Sequence, residues 1–299
     1  MIKIPEISAK SLITKNKYPQ YWFGNDYNMN LYRGCHHGCI YCDSRSDCYQ
    51  NKEFDIVKVK AHALDILQQE LSTKKYKGII GIGAMSDTYN AYEKDLQITR
   101  KSLQLIRDYH FGISLETKSD LVVRDIDLFL EIQKYNDVII KMTITTTNDE
   151  LSKIIEPYAP VSTKRFQAIQ KLSQAGIFTG VLLHPVLPFI TDSDENIKNM
   201  VRMAYNHGAK FIHAYFGVTL RDCQRAYYYQ QLDKYFPGLS KVYKRNYGNR
   251  YQCYSQRKKQ LEDIFIRECQ KYGLLYKMND IIKNYQLHKK KFEQLSLEI

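Results

Sequence analysis

Between Asn28 and about Gly217, short apolar runs rich in β-branched residues alternate with segments of helical period, and nothing else in the chain restricts its fold so tightly. The runs Asn30–Arg33, Gly78–Ala84, Gly112–Glu116, Asp137–Thr145, Gly180–His184 and Phe211–Phe216 read as strands. Between them, Ala61–Lys74, Lys94–Tyr109, Asp125–Lys134, Thr163–Ala175 and Asp194–Asn206 read as helices. Strands that are apolar on nearly every residue are covered on both faces, which specifies an α/β fold with a parallel sheet wrapped by helices. A closed eight-fold barrel takes about 250 residues, whereas the alternation here spans about 190. The expected architecture is therefore an open, partial (β/α)6 TIM-like barrel.

Helix ends support this reading. Ser162 or Thr163 can cap the fourth helix, Gly176 follows it where a positive φ is wanted, and Asp192, Ser193 or Asp194 can cap the fifth. Past Leu220 the strand signal fades, and Arg221–Phe236, Gln256–Tyr272 and Tyr276–Leu287 read as helices. The expected organisation is an N-terminal segment (1–27), the barrel (28–217), and a basic, mainly helical C-terminal extension packed on it (218–299).

The chain carries 44 Lys/Arg against 32 Asp/Glu, a net charge of +12. From Pro237 onward there are 14 basic and 6 acidic residues, interleaved with Tyr243, Tyr247, Tyr251 and Tyr254. Cations among aromatic rings grip phosphates and stack on bases, so DNA or RNA is an expected partner. A solvated, lysine-rich surface is the plainer account of the same residues. Arg221 and Arg225 are candidates for a phosphate contact. No run approaches the 18 apolar residues of a membrane span, and Met1–Lys10 holds no apolar stretch. A cytoplasmic location is expected, where clustered cysteines act as metal ligands or reactive thiols sooner than as disulfides.

The stretch YRGCHHGCIYCDSRSDC runs from Tyr32 to Cys48 and sets Cys35, Cys39 and Cys42 at CxxxCxxC spacing. It follows the first strand, so it belongs on the C-terminal rim of the barrel, where such folds build their sites. Gly34 and Gly38 let the loop curl and turn its N–H groups toward an anionic cluster. Three thiolates on a 4Fe–4S cluster leave one iron open. Zinc is the alternative, with His36 or His37 completing a Cys3His set.

CxxxCxxC with an aromatic residue, here Tyr41, just before its last cysteine resembles the signature of the radical S-adenosylmethionine (SAM) enzymes. The resemblance implies a 4Fe–4S cluster on Cys35, Cys39 and Cys42 and SAM as the second cofactor, with an electron donor such as flavodoxin or ferredoxin. Within that superfamily the chain resembles the spore photoproduct lyase group of DNA repair photolyase-like proteins. GAMSDTYNAYEKD (Gly83–Asp95), ETKSDLVVRDIDL (Glu116–Leu128), KMTITTTNDEL (Lys141–Leu151), GVLLHPVLPFITD (Gly180–Asp192) and FGVTLRD (Phe216–Asp222) carry the likeness in order. By this resemblance Ser86, Lys118 and Thr143 contact SAM, Asp87, Thr145 and His184 are further cofactor-binding candidates, and Tyr41 lies near the adenine or the radical carbon.

Two positions depart from the lyase pattern. Its hydrogen-donating cysteine is replaced by Ala84, and its relay tyrosine after the last cluster cysteine is Asp43. Cys48 is the nearest substitute donor. The reaction implied is reductive SAM cleavage and hydrogen abstraction from a substrate such as a nucleic-acid base or DNA lesion. The alternatives are radical modification of a peptide or small metabolite, and a non-catalytic iron–sulfur or nucleic-acid-binding protein.

Overall fold

Six parallel strands build the sheet: β1 (Tyr27–Met29), β2 (Ile79–Ile82), β3 (Gly112–Thr117), β4 (Val138–Thr143), β5 (Phe178–Leu183) and β6 (Phe211–Ala214). The structure is a computed structural model describing residues 4–287. The strands lie side by side in chain order, with Tyr27 opposite Ile80, Ile113 opposite Val138 and Phe211 opposite Gly180. The antiparallel strand Ile13–Lys15 flanks β1, and the sheet is open as expected.

Five helices return the chain between strands: α1 (Ala63–Thr73), α2 (Ile98–Asp108), α3 (Ile126–Gln133), α4 (Ser162–Gln174) and α5 (Asp194–Asn206). Ser193 caps α5, its Oγ accepting the Asn196 N–H at 3.1 Å. Neither candidate caps α4 through its side chain. That helix begins at Ser162, and Asp149 accepts the Thr163 N–H at 3.0 Å from a neighbouring helix. The predicted second helix is split at Gln97, because buried Glu93 turns its carboxylate onto the N–H groups of Thr99 and Arg100 and caps α2 from outside. The first strand lies earlier than predicted: Tyr32–Arg33 leaves the barrel to pair with Lys58–Lys60, which carries the chain outward into the cysteine loop.

The C-terminal extension holds α6 (Asp222–Tyr235), α7 (Leu239–Tyr247), α8 (Lys258–Tyr272) and α9 (Met278–Tyr285). Sequence periodicity missed α7, and also the antiparallel pairing of Gly217–Thr219 with Gln252–Tyr254 that anchors the extension. Leu275 runs beside the open edge of β6, its carbonyl accepting the Ile212 N–H at 2.9 Å. The N-terminal segment is part of the barrel's floor. Phe23, fully buried, packs against Phe211, and α9 secures it through Tyr285, whose hydroxyl donates to the Phe23 carbonyl.

Inward-facing positions change character along the barrel axis. Ile79, Ile139, Leu182 and Phe211 form one apolar cluster with Phe23. Polar Lys141 and His213 follow, and Glu116, Thr143, His184 and Tyr215 rise to the C-terminal rim. No helix among the described residues is long and apolar enough to cross a membrane.

Candidate active site

The rim encloses a cavity of about 750 Å³ whose wall includes Cys35, Cys39, Cys42, Tyr41, Ser86 and Lys118. The cysteine loop owes its curl to Gly34 and Gly38, both at positive φ. A side chain at Gly34 would strike the carbonyls of Phe54 and Ile56, so the loop cannot close there around any other residue.

The loop is tied down from two sides. Asp87, just past the end of β2, stands 2.9 Å from His37 Nε2 and accepts the backbone N–H of Lys118 at 2.8 Å and the Thr117 hydroxyl at 2.7 Å. Burial alone would raise its carboxyl, but His37 and these donors hold it well below the usual carboxylate range. Beneath the loop, fully buried Glu156 pairs with Arg165 at 2.6 Å and accepts the Tyr41 hydroxyl. Ser86 donates its hydroxyl to the Gly34 carbonyl, joining the end of β2 to the loop.

The sulfur spacing separates the two metal readings. A single tetrahedral zinc ion holds its sulfurs about 2.3 Å from itself and therefore less than about 4 Å from one another. Among the described residues, the only three-residue set with ligand atoms all within 4.8 Å of one another is exposed Asp47, Asp222 and Cys223. At least two of the loop's three sulfurs therefore lie more than 4.8 Å apart, wider than one zinc ion holds them. His37 is engaged with Asp87, and His36 Nδ1 faces the Ala91 N–H at 3.4 Å. Burial pushes the Cys35 thiol up to about 12 and raises Cys39 and Cys42 too, so metal loading must release their protons.

The Lys118 ammonium lies 5.7 Å from the centre of the Tyr41 ring, and among the described residues no carboxylate oxygen comes within 4.0 Å of it. Burial disfavours its charge, but Cys39, Glu156 and Cys42 nearby hold its pKa above the ordinary lysine value. Ser86, having donated its proton, can only accept from a ligand. An acceptor and a cation on one wall suit the ammonium and carboxylate of an α-amino acid moiety. Thr143 and His184 also line the cavity.

Three other candidates have different surroundings. Cys48 is exposed on the turn Asp47–Tyr49, outside the cavity wall, where Ser46 accepts its backbone N–H at 3.3 Å and its sulfur stands 3.2 Å from the Ser46 hydroxyl. Thr145 is sealed behind the wall, its hydroxyl donating to Glu156 at 3.4 Å. Asp87 reaches the wall, but protein donors occupy both of its oxygens. The two arginines are also engaged. Arg225 donates to the carbonyls of Leu220, Gly248 and Arg250, and Arg221 pairs with Asp43. Sequence reasoning missed Glu156, Arg165, Trp22 and Glu116. A charge at an inward position of an apolar strand was the available signal for Glu116; the pairing of Glu156 with Arg165 leaves none.

Comparison with known proteins matches residues 29–201 to the radical SAM superfamily. The chain is 36% identical over 194 residues to an uncharacterized protein of Methanocaldococcus jannaschii, covering 64% of this chain and 70% of that one. It is 27% identical over 228 residues to an uncharacterized protein of Mycobacterium tuberculosis, covering 74% and 67%. Among solved structures, spore photoproduct lyase complexed with dinucleoside spore photoproduct superposes with a TM-score of 0.65 at 16% identity, covering 89% of this chain and 78% of that one.

Proposed function

The chain belongs to the radical SAM superfamily, and from that premise we propose that it abstracts hydrogen from a nucleic-acid base after cleaving SAM reductively. The family works with a 4Fe–4S cluster and SAM. When bound, these two supply a 5′-deoxyadenosyl radical. The chain's own residues hold, orient and shield them. Cys35, Cys39 and Cys42 would carry the cluster. Lys118 would pair with the SAM carboxylate, and Ser86, left only with lone pairs, would accept from its amino group. Thr143 and His184 would complete the wall. Tyr41, with its hydroxyl given to Glu156, is held rigid beneath the Lys118 ammonium.

One observation carries the reading: the three cysteine thiols, the Ser86 hydroxyl and the Lys118 ammonium line the same cavity. The nucleic-acid part rests on the basic extension and on Tyr251, which follows α7 and forms part of the cavity mouth. An electron donor of the flavodoxin or ferredoxin type and a cytoplasmic setting follow from the same proposal; all seven cysteines are free thiols. Ala84 lines the cavity where the lyase group keeps its hydrogen donor, so clean repair of spore photoproduct is not expected.

Anaerobically reconstituted protein with dithionite and SAM should form 5′-deoxyadenosine, and a base-deuterated oligonucleotide should pass deuterium into it. Absence of 5′-deoxyadenosine would remove the enzymatic reading. Its formation without oligonucleotide binding at low salt would move the substrate to a peptide or small metabolite.

A further inference from the structure

From Lys234 to Leu261 the chain carries eight Lys/Arg and five Tyr without one Asp or Glu. Burial divides the tyrosines. Tyr243 and Tyr247 are 0% and 7% exposed and pack on each other, ring centres 5.2 Å apart, so they hold the extension together. Tyr251 is 44% exposed and belongs to the wall of the cavity that Cys35, Cys39 and Cys42 also line. It stands where the basic segment meets the site.

The ring is braced before anything binds. The Leu220 N–H donates to the Tyr251 carbonyl at 2.8 Å, and the strand Gln252–Tyr254 that follows pairs with Gly217–Thr219. Arg225 secures the turn before it, donating to the carbonyls of Gly248 and Arg250 at 2.8 and 2.7 Å. The Arg221 guanidinium lies 5.1 Å from the Tyr251 ring centre and 5.3 Å from that of Tyr49, and Asp43 on the cysteine loop pairs with it. Arg250 is exposed beside Tyr251, and among the described residues no carboxylate oxygen comes within 4.0 Å of its side-chain nitrogens. A half-exposed ring on a braced turn loses little freedom when a flat ligand stacks on it, and the neighbouring guanidinium answers a negative charge.

We propose that this corner of the cavity mouth is an entrance for single-stranded nucleic acid, where Tyr251 stacks on a nucleobase and Arg250 grips the adjoining phosphate. The inference rests on the nucleic-acid reading above and narrows its substrate class to a single strand of DNA or RNA. In a duplex each base is covered on both faces by its neighbours, whereas a single strand offers a free face to an aromatic ring. Such stacking tolerates any base, because every base has a π-face. Phosphates recur at each nucleotide, so a segment rich in cations and without a carboxylate suits the backbone that leads to the mouth.

The test titrates reconstituted protein into three fluorescein-labelled probes of equal length at fixed low salt: oligothymidylate, oligouridylate and an oligothymidylate–oligoadenylate duplex. Anisotropy should show at least one single strand bound at least tenfold more tightly than the duplex; binding of only one of the two upholds the entrance and assigns the sugar. Tyr251→Ala should weaken single-strand binding at least fivefold, while Tyr251→Phe, which keeps the ring, stays within about twofold of wild type. Arg250→Ala should lower the slope of log affinity against log salt by about 0.7, the share of one phosphate on a single strand. A strand carrying 5-iodouracil, irradiated on the wild-type protein, should crosslink to Tyr251, a result that needs no variant to fold. Equal affinity for the duplex, an unchanged Tyr251→Ala or crosslinks that map elsewhere overturn the entrance and leave the nucleic-acid reading standing. Failure to bind any of the three probes removes both.

Discussion

Asp87 ties the end of β2 to the cysteine loop. Its oxygens accept from the Tyr89 N–H, the Lys118 N–H and the Thr117 hydroxyl and face His37. Lys118 is anchored to Asp87 by its backbone, while its ammonium reaches the cavity wall beside Tyr41. Lys118→Ala should therefore weaken SAM binding roughly tenfold to a hundredfold, the loss expected for a hydrogen-bonded charge pair of about 1.5–3 kcal/mol. Equilibrium binding to the reconstituted protein checks this, and unchanged affinity would remove Lys118 from the cofactor's wall. The cysteine spacing and the order of Ser86, Lys118 and Thr143 were legible in the sequence because they lie within short segments. Cys48, close to the cluster cysteines in the chain, stands on a turn outside the cavity wall, a placement that sequence spacing does not reveal.

At the scale of elements, α9 and the N-terminal segment depend on each other. Tyr285 is 4% exposed, closes over Phe23 and donates its hydroxyl to the Phe23 carbonyl. Tyr285→Ala removes that buried ring and should lower the unfolding free energy by about 3–5 kcal/mol. Tyr285→Phe loses only the hydrogen bond, about 1 kcal/mol. Urea unfolding separates the two, and equal small losses would show that α9 is not needed beneath the barrel. The helical period found α9 but not α7, whose nine residues include Tyr243 and Tyr247 facing a buried tyrosine cluster. This short helix reads as a surface loop because Lys241, Lys244 and Arg245 break up the few residues, Tyr243 and Tyr247 among them, that mark its buried face.

Across the whole molecule, the barrel keeps two histidines neutral at its centre. The unfolded chain titrates histidine near 6.5, whereas burial and the Lys141 charge hold His213 down to about 4 and His184 well below its ordinary value. The unfolded state thus binds more protons. Stability is full above about pH 6.5 and declines as pH falls toward 4, by about 1.4 kcal/mol per pH unit for each histidine. Unfolding midpoints of His213→Gln should fall less steeply with pH than those of wild type over that window, and parallel curves would contradict this placement. What the sequence alone determined was the alternation, and with it the sheet, its helices and the thiol loop on the C-terminal rim. Periodicity and glycine placement are local properties that act before any long-range contact forms. Only the tertiary structure decided that Trp22 and Phe23 floor the barrel, that Glu156 meets Arg165 and Tyr41, and that Glu116 and Tyr215 face one cavity. Those meetings join residues far apart in the chain, and they exist only once β-strand register and helix packing have excluded water from the space between them.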